Sequence, residues 1–483
     1  MSAPDDRSLI TAKVDKAAAL REAWSRQAAV DPEVTLSCQR ELSEALRSAG
    51  FSHPGLPRVE LTPFFLEANS VRELTRSVRA LCAIFEQVNR LALLNVAFLR
   101  QLEISPNLEE LLRREPESRL SLEFARLDFV PTAGGPRFVE FVLDTPRGAM
   151  LGATLQKEFL AHPLSQKAGL SAVQPSSTTP ALMADLFLAV WAERGNLEIE
   201  QPNVAIIDWR ETESRPAQES ILAEIRSRGM VAERVDPREF VYRRDERALY
   251  RGDTRFDLLY RAATVQDIAV RRLLLSEFLD AVFDETVVLV NPLRARPASV
   301  PQALEILTSR DFDGFFSPAD NEFKARLLPW TRTLSARHTD FHGRDIDLLT
   351  FVAARPERFV IKAGNSMGGS DVALGAFAPR EKWLSRIEDG VRQGDIVQEY
   401  VENAKHTSDH ARGLSTGKNL LLSAYAVRGE YAGCSGYVSD EPVIKPQSAF
   451  VIPVFELGGR SKTGPIKAGR PTRKRKPTNT QQN

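Results

Sequence analysis

Cysteine is scarce: Cys38, Cys82 and Cys434 are the three in the chain, far apart and never in a Cys-x-x-Cys spacing. An odd, scattered set excludes a disulfide framework and a cysteine zinc site, and fits a reducing, cytoplasmic location. Net charge is lacking too. With 64 basic and 64 acidic residues, no global field draws the protein to nucleic acid or to an anionic membrane. No apolar run approaches the ~20 residues that span a bilayer. The opening MSAPDDRSLI does not have the order of a secretory signal. The expectation is a soluble cytoplasmic protein with no specific nucleic-acid partner and no membrane association, while homo-oligomerisation stays open.

What is present is ordinary for a globular chain: 483 residues, 43% hydrophobic and 27% charged, enough for roughly two to four domains. From Leu66 to Leu102 the residues Leu74, Val78, Leu81, Phe85, Val88, Leu91, Leu94 and Phe98 recur at three or four positions, which predicts one long or two stacked helices. Ser105-Pro106 reads as an N-cap and first helical position. Residues 1–118 are therefore expected to be mainly helical. At 119–177 the texture changes to SLEFARLDFV and RFVEFVLDTP around a Gly-Gly turn, a hairpin signal.

Across 178–300, apolar runs at Asn203–Trp209, Phe256–Arg261 and Thr286–Val290 alternate with helical stretches at Pro180–Arg194, Gln218–Arg228 and Val265–Val282. That alternation implies a largely parallel sheet. Region 301–457 centres on RFVIKAGNSMGGSDVALG, a strand, a glycine-bearing loop and a strand, then a helix at Pro379–Gly390 and a strand at Asp395–Val401. Residues 458–483 hold eight basic residues and no acid, the composition of a disordered basic tail. Without it the body carries 56 basic against 64 acidic residues.

Two elements could carry chemistry. In the hairpin, Arg126 and Asp128 share one face, as do Glu140, Val142 and Asp144. A three-residue loop Ala133-Gly134-Gly135 pairs Asp128 with Glu140 and Arg126 with Val142. Opposed carboxylates repel unless a cation lies between them, and oxygen-only ligands suit magnesium. The alternatives are a solvated polar face or a register slip that separates the acids. The second element is Lys362 to Ser370, KAGNSMGGS, where small residues and an ammonium at a strand end suit a polyphosphate; a plain hairpin turn is the alternative. The pairs His338/His342 and His406/His410 have chelating spacing but sit in loop-like stretches, so solvated histidines are expected.

With the DIVQEYV strand, these elements resemble the circularly permuted ATP-grasp family, of which glutathionylspermidine synthetase is a member, over most of residues 120 to 455. The resemblance implies an α/β (α+β) ATP-grasp fold, circularly permuted, with a pre-ATP-grasp parallel sheet domain and a helical N-terminal region. It implies Asp128, Glu140 and Asp144 as Mg2+ ligands, and Arg126 beside the transferring phosphoryl group. Lys362, Ser366, Gly368 and Gly369 would lie on the ATP phosphates, and Gln398, Glu399, Tyr400 and Val401 on adenine and ribose. LLPWTR, at Leu327 to Arg332, matches the family's Pro-Trp-Thr-Arg segment, and Pro453–Phe455 its terminal strand.

The implied activity joins a small-molecule or peptide carboxylate to an amine through an acylphosphate, using ATP and Mg2+. The chain departs from the pattern in three places. Val142 stands for a metal-binding asparagine, Tyr437-Val438-Ser439 for an Arg-Leu-Ser, and Gln302 near the place of a nucleotide-contacting lysine. A non-catalytic scaffold that binds nucleotide, peptide or a partner protein is the alternative reading.

Overall fold

A computed structural model describes residues 16–51, 58–117, 120–196, 198–212, 216–364, 372–407, 417–445 and 448–458. The glycine loop with Ser366, Gly368 and Gly369, as well as His410 and the basic tail from 459 onward, lies outside the described residues.

The long apolar spacing folds as helix Ala68–Leu94 followed by Val96–Gln101. Leu74, Val78, Leu81, Phe85 and Val88 form its buried stripe, one face of a 3.6-residue period. Leu94 continues the spacing but is 77% exposed. Asn95 ends the helix there and caps the next one, its side chain accepting from the Ala97 N–H at 2.8 Å. The chain then turns to bury Phe98 instead. Ser105 and Pro106 open helix Pro106–Arg114 as expected, although the serine hydroxyl makes no capping bond.

The buried stripe packs under a seven-stranded sheet. Its spatial order is Arg58–Val59, Phe450–Ile452, Glu430–Ser439, Lys418–Val427, Phe124–Thr132, Gly135–Val142, with Lys405–His406 beside Lys418–Val427. The N-terminal region is thus not helical alone. It supplies Arg58–Val59 to this sheet, and Phe64–Leu66 pairs in parallel with Val454–Glu456. The acidic hairpin, Phe124–Thr132 with Gly135–Val142, is an edge of the sheet. Leu127, Phe129, Phe138 and Phe141 face the helix, with the Phe85 and Phe141 rings 4.5 Å apart edge to face. The polar residues of the hairpin are thereby directed to the opposite sheet face.

A four-stranded parallel sheet runs Val288–Val290, Leu258–Arg261, Val204–Ile207, Ala232–Val235, flanked by helices Pro180–Arg194 and Pro216–Ser227. The helix expected over Val265–Val282 is broken into Val265–Val270 and Ser276–Phe283. Leu273 and Leu274, which extend its apolar pattern, face solvent at the break, 83% and 66% exposed.

An antiparallel sheet completes the core of the site: Thr331–Thr333, Ile396–Glu399, Phe359–Lys362 and Val372–Leu374. Helix Arg380–Gln393 packs beside it, closed by Gly394 at φ 68°. Among the described residues, no helix is long and apolar enough to cross a membrane.

Candidate active site

The hairpin register is the expected one, reached by a different route. Its loop is two residues, Ala133-Gly134, because Thr132 pairs with Gly135. That alone would put Glu140 out of line with Asp128. A β-bulge restores the alignment: Phe129 pairs with Phe138, Asp128 with Glu140 and Arg126 with Val142, leaving Val139 as the extra residue. The bulge also explains how Phe138 and Phe141, three apart, both reach the core.

Across the same sheet face, Asp128 stands opposite Ser423, and Ser423 opposite Ser435; Arg126 stands opposite Tyr425. Arg126 Nη2 donates to Asp128 Oδ2 at 2.9 Å and its Nη1 to the Arg147 carbonyl at 3.2 Å. Asp128 is 4% exposed and its Oδ1 has no hydrogen-bond partner. Burial raises the Asp128 pKa, the Arg126 guanidinium lowers it, and the Glu140 carboxylate raises it again, for a net rise. Burial works against the charge on Arg126, yet Asp128 and Glu140 outweigh it and hold its pKa above the ordinary value.

Lys362 arrives at this face from the antiparallel sheet. Its Nζ donates to the carbonyl of Val139 at 2.7 Å and to Gln398 Oε1 at 2.7 Å. Gln398 is held in turn by its Nε2, which donates to Thr331 Oγ1 at 3.1 Å. Burial pushes the Lys362 ammonium down to about 8, against the attraction of Glu140 and Asp128. Between the two elements lies a cavity of about 60 Å³, whose walls include Glu140, Val142, Arg296, Lys362 and Gly364. Gln302 is close by, donating to the Gly394 carbonyl at 3.0 Å.

Asp144 is engaged by other partners. Its carboxylate pairs with Arg261, lies 3.9 Å from Arg296, and accepts from the Val265 N–H at 3.1 Å, with both acid and Arg261 side chains fully buried. Asn291 reinforces this junction through bonds to Phe124 and to the Leu143 and Asp144 carbonyls. Asp144 therefore pins the end of the hairpin to the parallel sheet. The three acids expected around one ion do not gather: among the described residues, no group of three or more His, Cys, Asp or Glu side chains is arranged to hold a metal. Asp128 and Glu140 alone remain as a facing pair.

Glu399 is also engaged, with His342 Nε2 at 2.9 Å and Arg358 Nη2 at 3.1 Å. The Tyr400 N–H donates to the Arg358 carbonyl at 2.8 Å, and Val401 is partly exposed. Trp330 and Arg332 stack at 4.8 Å, and Arg332 is fully buried against Asp340. Of the other histidines, His338 is exposed beside Asp345. His406 is not solvated as expected: it is buried, its ring 3.0 Å from the Thr62 carbonyl, because the Phe64–Leu66 segment covers it.

Sequence reasoning missed Tyr425, which stands across from Arg126. Tyr425 and Tyr437 have raised pKa values, chiefly from burial. Their hydroxyls crowd Gly148, at φ 96°, where a Cβ would lie 2.9 Å from both. Glycine there lets helix Ala149–Ala161 start against the Arg126 face. The hairpin carrying the tyrosines is rich in Ser, Gly and Ala, which hides it from apolar periodicity.

For a divalent cation, the donor set can be judged from the chemistry present. Asp128 is a buried carboxylate that stands opposite Glu140 in the hairpin register, and its Oδ1 has no hydrogen-bond partner. Hard oxygen donors fit Mg2+, which takes its remaining positions from water and phosphate. Asp128 and Glu140 are matched by Arg126 and Lys362, so the four charges cancel when the lysine is protonated, and an ion gains most when it arrives with an anionic partner.

No family model matches the chain, and no curated protein matches it in sequence. Among solved structures, the chain is similar in fold to a glutathione synthetase like-effector from Globodera pallida in its apo form. The likeness covers 88% of this chain and 98% of that one, at a TM-score of 0.57 and 12% identity. A putative gamma-glutamylcysteine synthetase from Methylobacillus flagellatus overlaps 77% of this chain and 87% of that one at 13% identity, with a TM-score of 0.39. At that score the overlap carries no argument, and the shared fold rests on the first likeness.

Proposed function

We propose that the protein is an ATP-dependent carboxylate–amine ligase of the ATP-grasp type. The observation that carries this reading is the convergence of Lys362, from one sheet, on the Asp128–Glu140 pair of another, with Arg126 as the next residue on the same face. Two sheets closing on opposed acids and a lysine form a site for a polyphosphate and its cation.

Lys362 and the acids hold the phosphates and their charge, with Gln398 aiming the ammonium. Arg126 lies where charge develops on the phosphoryl group as it passes to a carboxylate oxygen. The amine nitrogen then attacks the acylphosphate carbon. The C–N bond forms, the C–O bond to phosphate breaks with its electron pair on phosphate, and the amine proton is released. Magnesium, when bound by Asp128 and Glu140, would neutralise phosphate charge. Val142 offers it no oxygen, and Asp144 is committed to Arg261.

That same loss supports the second reading, a nucleotide-binding scaffold without turnover. ADP release separates the two. With MgATP and a mixed pool of carboxylates and amines, a ligase releases ADP at least tenfold faster than without the pool. Binding of MgATP with no stimulated release favours the scaffold, and no binding at millimolar MgATP overturns both.

A further inference from the structure

A cavity of about 230 Å³ lies where the hairpin's end meets the carboxyl ends of the parallel strands. Strand Val204–Ile207 leads through helix Pro216–Ser227 to Ala232–Val235 on one side and has Leu258–Arg261 on its other. The strand order reverses there, and open α/β sheets take ligands in the crevice outside the carboxyl ends at such a point. The cavity walls are mainly apolar, among them Phe124, Met150, Met183 and Ile221. An engineered cavity of about 150 Å³ accepts benzene, so this one has room for a ring or a branched chain with several further atoms.

The charges in the wall have one sign. Arg147 and Arg261 line the cavity, and among the described residues no Asp or Glu does. Asp144 pairs with Arg261 outside the wall, both side chains being fully buried, while Arg147 is exposed. Tyr260 adds a donor. It is more than nine-tenths buried, at 7% exposed, and its hydroxyl makes no hydrogen bond with any described residue. The Thr145 and Gln218 oxygens are sealed beneath the wall, but the Tyr260 hydroxyl is not. Burial pushes its pKa up to about 12, against the charges of Arg261 and Arg147, so at neutral pH the phenol keeps its proton. Buried polar groups are nearly always satisfied. A hydroxyl in want of an acceptor, beside guanidinium charge and no acid, matches the carboxylate of a bound molecule.

The cavity adjoins the chemistry. Phe124 precedes Arg126 by two residues on the same strand and so shares its face. The Phe124 and Tyr425 rings stack at 6.0 Å. Arg147, whose carbonyl accepts from Arg126 at 3.2 Å, also lines the cavity.

We propose that this cavity binds a carboxylate bearing an aromatic or branched aliphatic group, the apolar part filling the space and the head group accepting from Tyr260 beside Arg147. That this acid is the one activated for ligation rests on the ligase reading; its binding does not. In that reading its carboxylate oxygen forms a bond to the γ-phosphorus of ATP, and the bond from that phosphorus to ADP breaks with its electron pair on ADP.

The test is calorimetric titration of the full chain without nucleotide at neutral pH, using 3-phenylpropionate, 4-methylpentanoate, acetate and phenethylamine. The first two bind at least tenfold tighter than acetate, which lacks the apolar part, and than phenethylamine, which keeps a ring but carries the opposite charge. Tyr260→Phe, which removes only the hydroxyl, weakens 3-phenylpropionate about tenfold, and Met183→Trp, which fills the space, abolishes its binding. Equal binding of acetate or phenethylamine, absence of 3-phenylpropionate binding, or undiminished affinity in Tyr260→Phe overturns the proposal, and Tyr260→Phe decides if Met183→Trp does not fold. With MgATP and a pool of amines added, 3-phenylpropionate binding without stimulated ADP release leaves the cavity assignment standing and removes ligation. ADP release driven by polar acids such as glutamate, with no binding of 3-phenylpropionate, does the reverse.

Discussion

Lys362 Nζ donates to the carbonyl of Val139, the one residue that the β-bulge leaves outside the hairpin pairing, at 2.7 Å. One irregularity thus does two things: it brings Glu140 into line with Asp128 and presents a carbonyl that docks the lysine of the other sheet. If that lysine contacts phosphate, its protonation is sensitive to what is bound.

In the free protein, burial holds Lys362 at about 8, below the ~10.4 of an exposed lysine. Between these values the unfolded chain binds more protons than the folded one, so this group makes stability rise with pH from about 8 to about 10.4 and contributes no slope below. Urea unfolding of wild type and Lys362→Met at pH 7.5 and 9.5 measures it. The gain on going to pH 9.5 should be smaller in the variant, and an equal gain in both removes the effect. Phosphate restores the proton, so MgATP binding at pH 8.5 should take up protons, visible as a dependence of binding enthalpy on buffer ionisation.

Asp144 and Glu140 should separate stability from binding. Asp144→Ala leaves Arg261 buried without its acid, and breaking such a pair costs about 3–5 kcal/mol. Glu140→Gln should change unfolding free energy by less than about 1 kcal/mol while abolishing most of the MgATP effect. Chemical denaturation with and without MgATP reads both, and a large MgATP-specific loss with little destabilisation in Asp144→Ala would restore that acid to the metal site.

Val142 is 7% exposed and lines the cavity between Glu140 and Lys362. Val142→Asn puts an oxygen there. Its unpaired amide should lower the melting temperature of the free protein, at a cost of about 1–3 kcal/mol, and enlarge the shift produced by MgATP. An unchanged or smaller MgATP shift shows that position 142 does not face the ion.

Gly148→Ala tests the covered side of Arg126. The added Cβ meets the Tyr425 and Tyr437 hydroxyls at 2.9 Å, at a backbone φ of 96°, so destabilisation by more than about 1 kcal/mol is expected. Tyr425→Phe in the same background should recover part of it, as measured by thermal unfolding.

Much of this was legible in the chain. The helix of Ala68–Leu94 follows from a 3.6-residue apolar period, the parallel strands from short continuous apolar runs, and the acidic pair from the two-residue alternation of a hairpin. The register was legible only by compensation, since a bulge at Val139 and a two-residue loop give the same pairing as a three-residue loop without a bulge. Nothing in RFVEFV announces a bulge. The fate of Asp144 was illegible because Arg261 and Arg296 come from more than a hundred residues away, and local spacing carries no record of who neutralises a buried acid. The hairpin Lys418–Val427 with Glu430–Ser439 was missed for a different reason: its Gly433, Ser435 and Gly436 are small because neighbours lie close, which a hydropathy pattern reads as loop.

The central claim is that the acid pair and Lys362 together grip a magnesium nucleotide. Thermal unfolding of the full chain with a non-hydrolysable ATP analogue, with and without Mg2+, tests it most directly in wild type, Asp128→Asn and Lys362→Ala. At a hundred times the dissociation constant, binding adds about 2.7 kcal/mol and should raise the melting temperature by about 2–4 °C. The account predicts that rise in wild type only when analogue and Mg2+ are present together, and less than a quarter of it in either variant. An equal rise in all three proteins, or none in wild type, would contradict it.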